Sequence, residues 1–216
     1  MKLTIASVIE HTYLRPDCTI DVVQKLCQDV LKYNMYGACV PPYFVKDAVQ
    51  ILGGQAKVIT VISFPMGYNP TTVKGEECRQ AITDGADELD MVVNIAAIKS
   101  GQWKQVQNEL DRLQQVVEMQ RGQLKVIFET SLLTHDEIVQ LCDICTQTGV
   151  MFVKTSTGMN GAGADVATVA LMRRLLPEHI SIKASGGITS RTFAEELLAA
   201  GAARIGTSRG VEIVCS

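Results

Sequence analysis

Polar, helix-like stretches alternate along the chain with short apolar runs, and a glycine stands before several of these runs. The pattern occurs as KYNMYGACV, ITDGADELDMVV, TQTGVMFVKT and LAAGAARIGTS. Because glycine adopts the left-handed conformation without a Cβ penalty, we predict that Gly37, Gly85, Gly149 and Gly201 end helices. The β-prone run after each glycine is typical of a strand buried on both faces of a parallel sheet.

Eight segments fit such strands, and most of the stretches between them have helical periodicity. The segments lie near residues 8–13, 36–40, 57–63, 87–94, 124–130, 150–155, 180–184 and 203–207. Eight βα units predict an α/β fold in which residues 1–216 form one domain, a (β/α)₈ barrel of the TIM type. An open doubly wound sheet is the alternative, but its usual G-x-G-x-x-G after the first strand is absent.

The final helix of this barrel is predicted to be short, because only RGVEIVCS follows the eighth strand. A short helix leaves part of the apolar barrel wall uncovered. We expect either the N-terminal segment or a subunit contact, as in a homodimer, to cover it.

Composition and charge narrow the classes of function. Apolar residues make up 47% and charged residues 20% of the chain, which is typical of a globular protein. The net charge of −3 argues against a general partner such as nucleic acid or an anionic membrane. No apolar run approaches the roughly 18 residues of a membrane helix, and the N-terminus is too polar for a signal peptide. We therefore expect a cytoplasmic protein, in which Cys142 and Cys145 pack in the core and form no redox pair.

Two lysines stand at the ends of consecutive apolar strands, Lys154 in MFVKTSTG and Lys183 in ISIKASGGI. A single lysine of this kind could extend to solvent or pair with a carboxylate. Two on neighbouring strands favour a nucleophilic amine and a second cation that promotes loss of its proton, since burial and like charge both disfavour the ammonium form. In such barrels the active site lies at the C-terminal ends of the strands.

Asp90 lies in the middle of the apolar run GADELDMVVN. Side-chain alternation places Glu88, Asp90 and Val92 on one face of the strand, with Leu89 and Met91 on the other. Asp90 could form a structural ion pair with an interior lysine, or it could relay protons for the two strand-end lysines.

Three clusters rich in Gly, Ser and Thr follow the last three strands, at residues 155–158, 185–190 and 206–210. One would be an ordinary turn, but three on successive strand ends indicate a phosphate site, with N–H groups presented at helix N-termini. Arg209 could pair with the phosphate directly. The histidines His11, His135 and His179 form no metal-ligand motif, so we expect no metal and no other cofactor.

Taken in order, several of these blocks resemble the deoxyribose-phosphate aldolase family of class I (Schiff-base) aldolases. The blocks that carry the resemblance are EHTYL (10–14), CVPP (39–42), VISFPMG (61–67), GADELDMVVN (85–94), KVIFETSLL (125–133), FVKTSTG (152–158), IKASGGI (182–188) and RIGTSRG (204–210). The resemblance spans nearly the whole chain.

The resemblance implies a lyase of carbohydrate and deoxyribonucleotide catabolism whose partner is a small phosphorylated sugar. It implies reversible cleavage of 2-deoxy-D-ribose 5-phosphate to D-glyceraldehyde 3-phosphate and acetaldehyde. By the same resemblance, Lys154 forms the Schiff base, Lys183 lowers the pKa of that amine, and Asp90 works with Lys183 in the proton relay. The implied substrate-binding residues are Cys39, Thr157, Gly158, Gly186, Gly187, Gly206 and Ser208, to which we add Arg209.

The chain departs from the family pattern at Glu10, where Asp is commoner, at Met159, and at Arg209, where a second Ser is common. These departures bear on rate and substrate range. Two other functions compete with this one. A Schiff-base aldolase of the transaldolase type would keep the strand-end lysine without the KTSTG and KASGG pair, and a non-catalytic phosphosugar-binding barrel would have lost the two lysines and the aspartate.

Overall fold

The computed structural model describes residues 4–216, in which eight parallel strands close into a barrel in chain order. Each strand lies within three residues of its predicted bounds, so the predicted fold class is confirmed. The strands are β1 (Ile9–Thr12), β2 (Gly37–Cys39), β3 (Lys57–Ile62), β4 (Glu88–Val92), β5 (Gln123–Ile127), β6 (Phe152–Lys154), β7 (Ser181–Ser185) and β8 (Arg204–Thr207).

Helices surround the barrel, and side-chain caps start several of them. Thr134 and Glu137 form a reciprocal capping box, and Ser190 accepts the backbone N–H of Phe193. The helices are α1 (Ile20–Lys32), α2 (Val45–Leu52), α3 (Thr71–Thr83), α4 (Ile95–Lys99), α5 (Trp103–Met119), α6 (His135–Gln147), α7 (Val166–Leu175), α8 (Arg191–Ala199) and α9 (Gly210–Cys215). Short 3₁₀ turns lie at Ile5–Val8, Pro42–Phe44 and Thr130–Leu132.

Three of the four glycines predicted to end helices do so in the left-handed conformation. Gly85, Gly149 and Gly201 have φ values of 103°, 71° and 113°. The prediction for Gly37 is wrong, because Gly37 is the first residue of β2 and Asn34 takes the left-handed conformation after α1. A Cβ on Gly37 would lie 2.4 Å from the carbonyl oxygen of Lys57, so a glycine is needed for the close approach of β2 to β3.

The barrel separates two kinds of buried surface. Leu89 and Met91 on β4 belong to the large apolar core between the strands and the helices. Glu88 and Asp90, the alternate residues, instead make ion pairs with a lysine of β5 inside the barrel. The predicted alternation is therefore observed, and the barrel interior is where charged side chains gather.

The short final helix α9 is present, and the N-terminal segment packs beside it. Ile213 is fully buried, while Ile5, Val211 and Val214 pack against the main core. The apolar wall beside β1 is thus covered by the chain itself, which is one of the two expected solutions.

The C-x-x-C pair lies on α6 with both thiols buried and unbonded, as core packing predicts. Burial raises the pKa of Cys142 to about 12. No helix within residues 4–216 has the length and apolar character needed to cross a membrane.

Candidate active site

A cavity of about 450 Å³ opens at the C-terminal ends of β6, β7 and β8, beside the end of β1. It brings together one predicted catalytic lysine and most of the predicted substrate-binding residues. These wall residues are Lys154, Thr157, Gly158, Gly186, Gly187, Gly206, Ser208 and Arg209.

The two strand-end lysines meet at one carboxylate. Lys154 ends β6, and its backbone is in register with Lys183 on β7. The side-chain Nζ of Lys154 donates to Oδ2 of Asp90 at 2.8 Å, and the Nζ of Lys183 donates to the same oxygen at 2.6 Å. The Lys154 side chain is 3% exposed and belongs to the cavity wall, whereas Lys183 and Asp90 are fully buried behind it.

Asp90 is surrounded by positive charge. Its Oδ1 accepts from the Nζ of Lys125 at 2.9 Å, so three lysine side chains surround one carboxylate. Burial acts to raise the pKa of Asp90, but attraction to the three lysines outweighs burial and holds the pKa well below its ordinary value. Asp90 is consequently a carboxylate that accepts hydrogen bonds and does not carry a proton.

Lys183 is held as a cation by two carboxylates. Its Nζ donates to Glu10 as well as to Asp90. Burial acts to lower the pKa of Lys183, yet attraction to Asp90 and Glu10 outweighs this effect and raises the pKa above the ordinary lysine value. A fixed positive charge therefore stands beside Lys154.

Lys125 was missed by the sequence analysis, although it stands in the apolar run LKVIF just as Lys154 stands in MFVKT. It is fully buried, and its Nζ lies 2.6 Å from Glu88 and 3.6 Å from Glu10 as well as contacting Asp90. Despite burial, these carboxylates raise the pKa of Lys125. Asp90 thus forms an ion pair with the interior lysine Lys125, and it also contacts both strand-end lysines, as the predicted proton relay requires.

Glu10, noted as a departure from the family pattern, joins this network directly. Besides Lys183, it lies 3.4 Å from Arg204, whose guanidinium stacks on the ring of Tyr36. Within residues 4–216, the ion-paired barrel interior holds four basic side chains and three acidic ones. They are Lys125, Lys154, Lys183 and Arg204, and Glu10, Glu88 and Asp90.

Cys39 is fully buried in β2 and is not part of the cavity wall. It packs with Ile59 and Val61 in a small apolar cluster separate from the main core. Burial raises the pKa of its thiol to about 11, with smaller effects from Lys183 and Asp90 nearby. Cys39 therefore adjoins the charged network as a neutral thiol, and its role at the substrate stays a prediction.

The loops predicted to bind phosphate share the cavity and pack backbone against backbone. Gly158, Gly186 and Gly187 are left-handed, and a Cβ on Gly186 would lie 2.8 Å from the Cα of Gly163. The expectation that every cluster sits at a helix N-terminus is wrong for residues 155–158, because α7 begins eight residues later with Asp165 as its cap. That helix start is separated from the cluster by an extended loop.

Gly206 lies against the side chain of Lys183. A Cβ there would lie 2.7 Å from the Cε of Lys183, so the absence of a side chain leaves room for the lysine stem. Arg209 and Met159 lie on the cavity rim, and the Nη1 of Arg209 is 2.9 Å from Glu212. The guanidinium of Arg209 is therefore paired with the carboxylate of Glu212.

The histidines lie apart from one another. His11 is buried in β1, where burial lowers its pKa, whereas His135 and His179 are exposed. Residues 4–216 contain no group of three or more His, Cys, Asp or Glu side chains arranged to bind a metal ion. Independence from metals stays a prediction.

Comparison with known proteins agrees with this arrangement. A model of the DeoC/LacD family of aldolases matches residues 9–214. The deoxyribose-phosphate aldolase of Thermococcus gammatolerans is 43% identical over 98% of this chain and 96% of its own length. That of Brevibacillus brevis is 43% identical over 95% of this chain and 93% of its own. The tetrameric deoxyribose phosphate aldolase of Aeropyrum pernix is similar in structure, with a TM-score of 0.90 and 31% identity over 98% of this chain and 90% of the other.

The chain is a TIM-barrel aldolase, because it forms a closed eight-stranded barrel and matches aldolases over nearly its whole length. More narrowly, the chain belongs to the DeoC/LacD family of aldolases.

Proposed function

We propose that the chain is a deoxyribose-phosphate aldolase in which Lys154 forms the Schiff base. The observation that carries the proposal is the sharing of one Asp90 oxygen by Lys154 and Lys183 at the base of an open cavity. Among residues 4–216, Lys183 contacts two carboxylates and Lys125 contacts three, whereas Lys154 contacts only the Asp90 oxygen that it shares. Of the three interior lysines, only Lys154 belongs to the cavity wall.

The reaction begins when the neutral amine of Lys154 attacks the aldehyde carbon, C1, of open-chain 2-deoxy-D-ribose 5-phosphate. Loss of water gives an iminium, which is an electron sink. A base removes the proton of the C3 hydroxyl, the C2–C3 bond breaks, and its electron pair forms an enamine across C2 and C1. D-Glyceraldehyde 3-phosphate leaves with C3 as its new aldehyde carbon.

The second half of the reaction returns the enzyme to its starting state. The enamine accepts a proton at C2, and water hydrolyses the resulting iminium to release acetaldehyde and Lys154. Asp90 accepts a hydrogen bond from Lys154, and Lys183 donates to the same Asp90 oxygen. Asp90 would therefore serve as the proton acceptor and Lys183 as the proton donor for these transfers. The glycine-rich loops with Ser208 and Arg209 would hold the phosphate at the other end of the cavity.

Borohydride trapping tests this proposal. Incubation with deoxyribose 5-phosphate and borohydride should give a reduced adduct that peptide mass spectrometry locates on Lys154. Lys154→Leu should lose the adduct and all measurable turnover while still binding inorganic phosphate, whereas the exposed-lysine control Lys104→Leu should behave as wild type. No adduct, or an adduct on another lysine, would exclude this role for Lys154.

The same trapping reaction, repeated with acetaldehyde and with a ketose phosphate, separates the two competing functions. A non-catalytic phosphosugar-binding barrel would bind the ligand without an adduct, and an aldolase of the transaldolase type would be trapped by a ketose phosphate donor and not by acetaldehyde. The intact set of Lys154, Lys183 and Asp90 favours the deoxyribose-phosphate reaction over both.

We also propose a cytoplasmic homodimer. All seven cysteines lie within residues 4–216 and none forms a disulfide there, which is typical of a reducing compartment. Exposed apolar side chains on the loops after β2 and β3, Tyr43, Met66 and Tyr68, provide a candidate contact surface. Light scattering at several protein concentrations tests the assembly, and a tetramer like that of the Aeropyrum pernix relative would overturn the dimer.

A further inference from the structure

Glu129 is a buried carboxylate that forms no ion pair within residues 4–216. It follows β5 directly, is fully buried, and has a left-handed backbone with φ 57° and ψ 59°. Among residues 4–216, no lysine, arginine or histidine forms an ion pair with it. A carboxylate that is buried without a cation and on strained backbone needs other partners to hold it there.

Its partners all belong to one loop of the cavity wall. Oε1 of Glu129 accepts the backbone N–H of Thr157 at 3.1 Å, and Oε2 accepts the Thr157 hydroxyl. Oε2 also accepts the side-chain amide of Asn160 at 3.3 Å. Every contact runs from a donor to Glu129, so an acceptor-only side chain suits the position.

The Thr157 hydroxyl is oriented by these contacts. It donates its only proton to Glu129, and its oxygen accepts the backbone N–H of Met159 at 3.0 Å. A hydroxyl has one proton and two lone pairs, so a single lone pair remains for a ligand. Since Thr157 forms part of the cavity wall, it offers a ligand an acceptor and no donor.

We propose that Glu129 is a positioning residue that fixes Thr157 as a hydrogen-bond acceptor for a hydroxyl group on the carbon chain of the substrate. This inference rests on the proposed function, since it assigns a specificity role within the same cavity. A substrate hydroxyl can donate to Thr157, whereas a carbonyl oxygen or an ether oxygen at that place would face a second acceptor.

Glu129→Gln tests the orientation directly. Glutamine has one acceptor oxygen, so its amide nitrogen faces a donor of Thr157 in either orientation. At the place of Oε2 the nitrogen turns the Thr157 hydroxyl, whose proton is then directed toward the cavity, and at the place of Oε1 it opposes the Thr157 backbone N–H and displaces the residue. We expect kcat/KM for deoxyribose 5-phosphate to fall roughly 10- to 100-fold in E129Q, and by a similar factor in T157V. Because both changes act on one hydroxyl, E129Q/T157V should be within about twofold of T157V.

Acetaldehyde supplies the readout that a merely structural role would change. It has no hydroxyl to donate to Thr157, so borohydride trapping of Lys154 by acetaldehyde should be slowed far less in E129Q and T157V than turnover of deoxyribose 5-phosphate. Asn160→Ala removes the amide contacts to Glu129 and to the carbonyl oxygen of Pro65 without removing the Thr157 hydroxyl, so it measures the effect of loosening the loop. E129D keeps an acceptor-only carboxylate and should retain more activity than E129Q.

Several results would overturn the proposal. They are E129Q kinetics within about twofold of wild type, losses in E129Q and T157V that multiply in the double variant, acetaldehyde trapping slowed as much as turnover, or N160A losses equal to those of E129Q. If E129Q does not fold, the same cycle with E129D and T157V decides. Absence of a Lys154 adduct in the wild type would instead refute the proposed function, so the two failures are distinguishable.

Discussion

Lys74 and Lys183 are both buried beside carboxylates, but they lie on opposite sides of the barrel wall. Lys74, on α3, pairs with Glu109 of α5 at 2.8 Å and also donates to the carbonyl oxygen of Val92. Burial lowers the pKa of Lys74 and raises that of Glu109, because one partner does not offset the loss of water. Inside the barrel the shifts are reversed for Lys183 and Asp90.

The difference lies in the number of partners. Lys183 contacts two carboxylates, and Asp90 contacts three lysines. Several opposite charges around each group make the charged forms favourable even without water, whereas one pair outside the barrel is pushed toward neutrality. A network of this kind can therefore keep fixed charges next to the amine of Lys154, which an isolated buried pair cannot do.

The largest expected effect is loss of the interior cation at Lys183. Lys183→Leu should lower kcat/KM by about 10²- to 10⁴-fold, the range expected for loss of a group that assists proton transfer. Without the positive charge beside it, Lys154 is protonated more readily, so formation of the adduct by its neutral amine should require a higher pH. Borohydride trapping across a pH series measures this, and a profile that coincides with wild type would contradict it.

Lys74→Met should affect stability and leave catalysis largely intact. Glu109 would remain buried without its cation, and we expect the free energy of unfolding to fall by about 3–5 kcal/mol. The raised pKa of Glu109 fixes the sign of the pH dependence, because the protonated acid is favoured in the folded state. The loss should therefore be smaller near pH ~5 than near pH ~8.

Urea unfolding of K74M and of K74M/E109Q measures the exterior pair. The glutamine keeps an acceptor for the backbone N–H of Asn94, which Glu109 accepts at 3.1 Å. The double variant should recover much of the lost stability. A double variant no more stable than K74M would show that the pair is not the cause.

Glu88→Gln tests the interior network on the acid side. Burial acts to raise the pKa of Glu88, but attraction to Lys125 outweighs it and lowers the pKa below its ordinary value. Glu88 thus contributes stability above its unfolded pKa of about 4.3, and that stability is lost as the pH falls through the lower folded value. In E88Q the free energy of unfolding should fall less steeply as the pH is lowered, by up to about 1.4 kcal/mol per pH unit. Urea unfolding at several pH values measures this, and the same dependence on pH in E88Q and wild type would refute it.

The smallest effect on stability is expected at an exposed ion pair, which serves as the reference for the two buried sites. Arg79 and Glu76 lie 2.5 Å apart on α3 with both side chains largely in water. Glu76→Gln should change the free energy of unfolding by less than about 1 kcal/mol, because water screens the attraction. A larger change measured by urea unfolding would mean that partner number alone does not explain the contrast between the buried sites.

The sequence predicted those parts of the site that leave a local signal. Lys154, Lys183 and Asp90 are charged residues inside apolar strands, and the strand order of a barrel brings such residues together. Lys125 leaves the same signal and could have been predicted by the same rule. The eight strands were predictable because short apolar runs recur along the chain, several of them directly after a glycine.

Other parts depend on contacts that no local pattern reveals. Glu129 acquires its role from a left-handed backbone and from a loop 28 residues further along the chain. Lys74 and Glu109 are 35 residues apart on two helices, and each looks like an ordinary solvated charge in the sequence. Gly37 was misinterpreted because close approach between strands and the end of a helix both select glycine.

The ionic filling of the barrel interior has a consequence for behaviour on heating. The hydration of charged groups becomes less favourable as temperature rises, so the penalty for keeping them away from water decreases. The interior side chains around Asp90 should therefore hold together relatively better when warm, while the apolar contacts between helices and strands gain little further. We expect heat to loosen the helical layer before the geometry around Lys154, so that the chemistry tolerates warming better than the outer shell does.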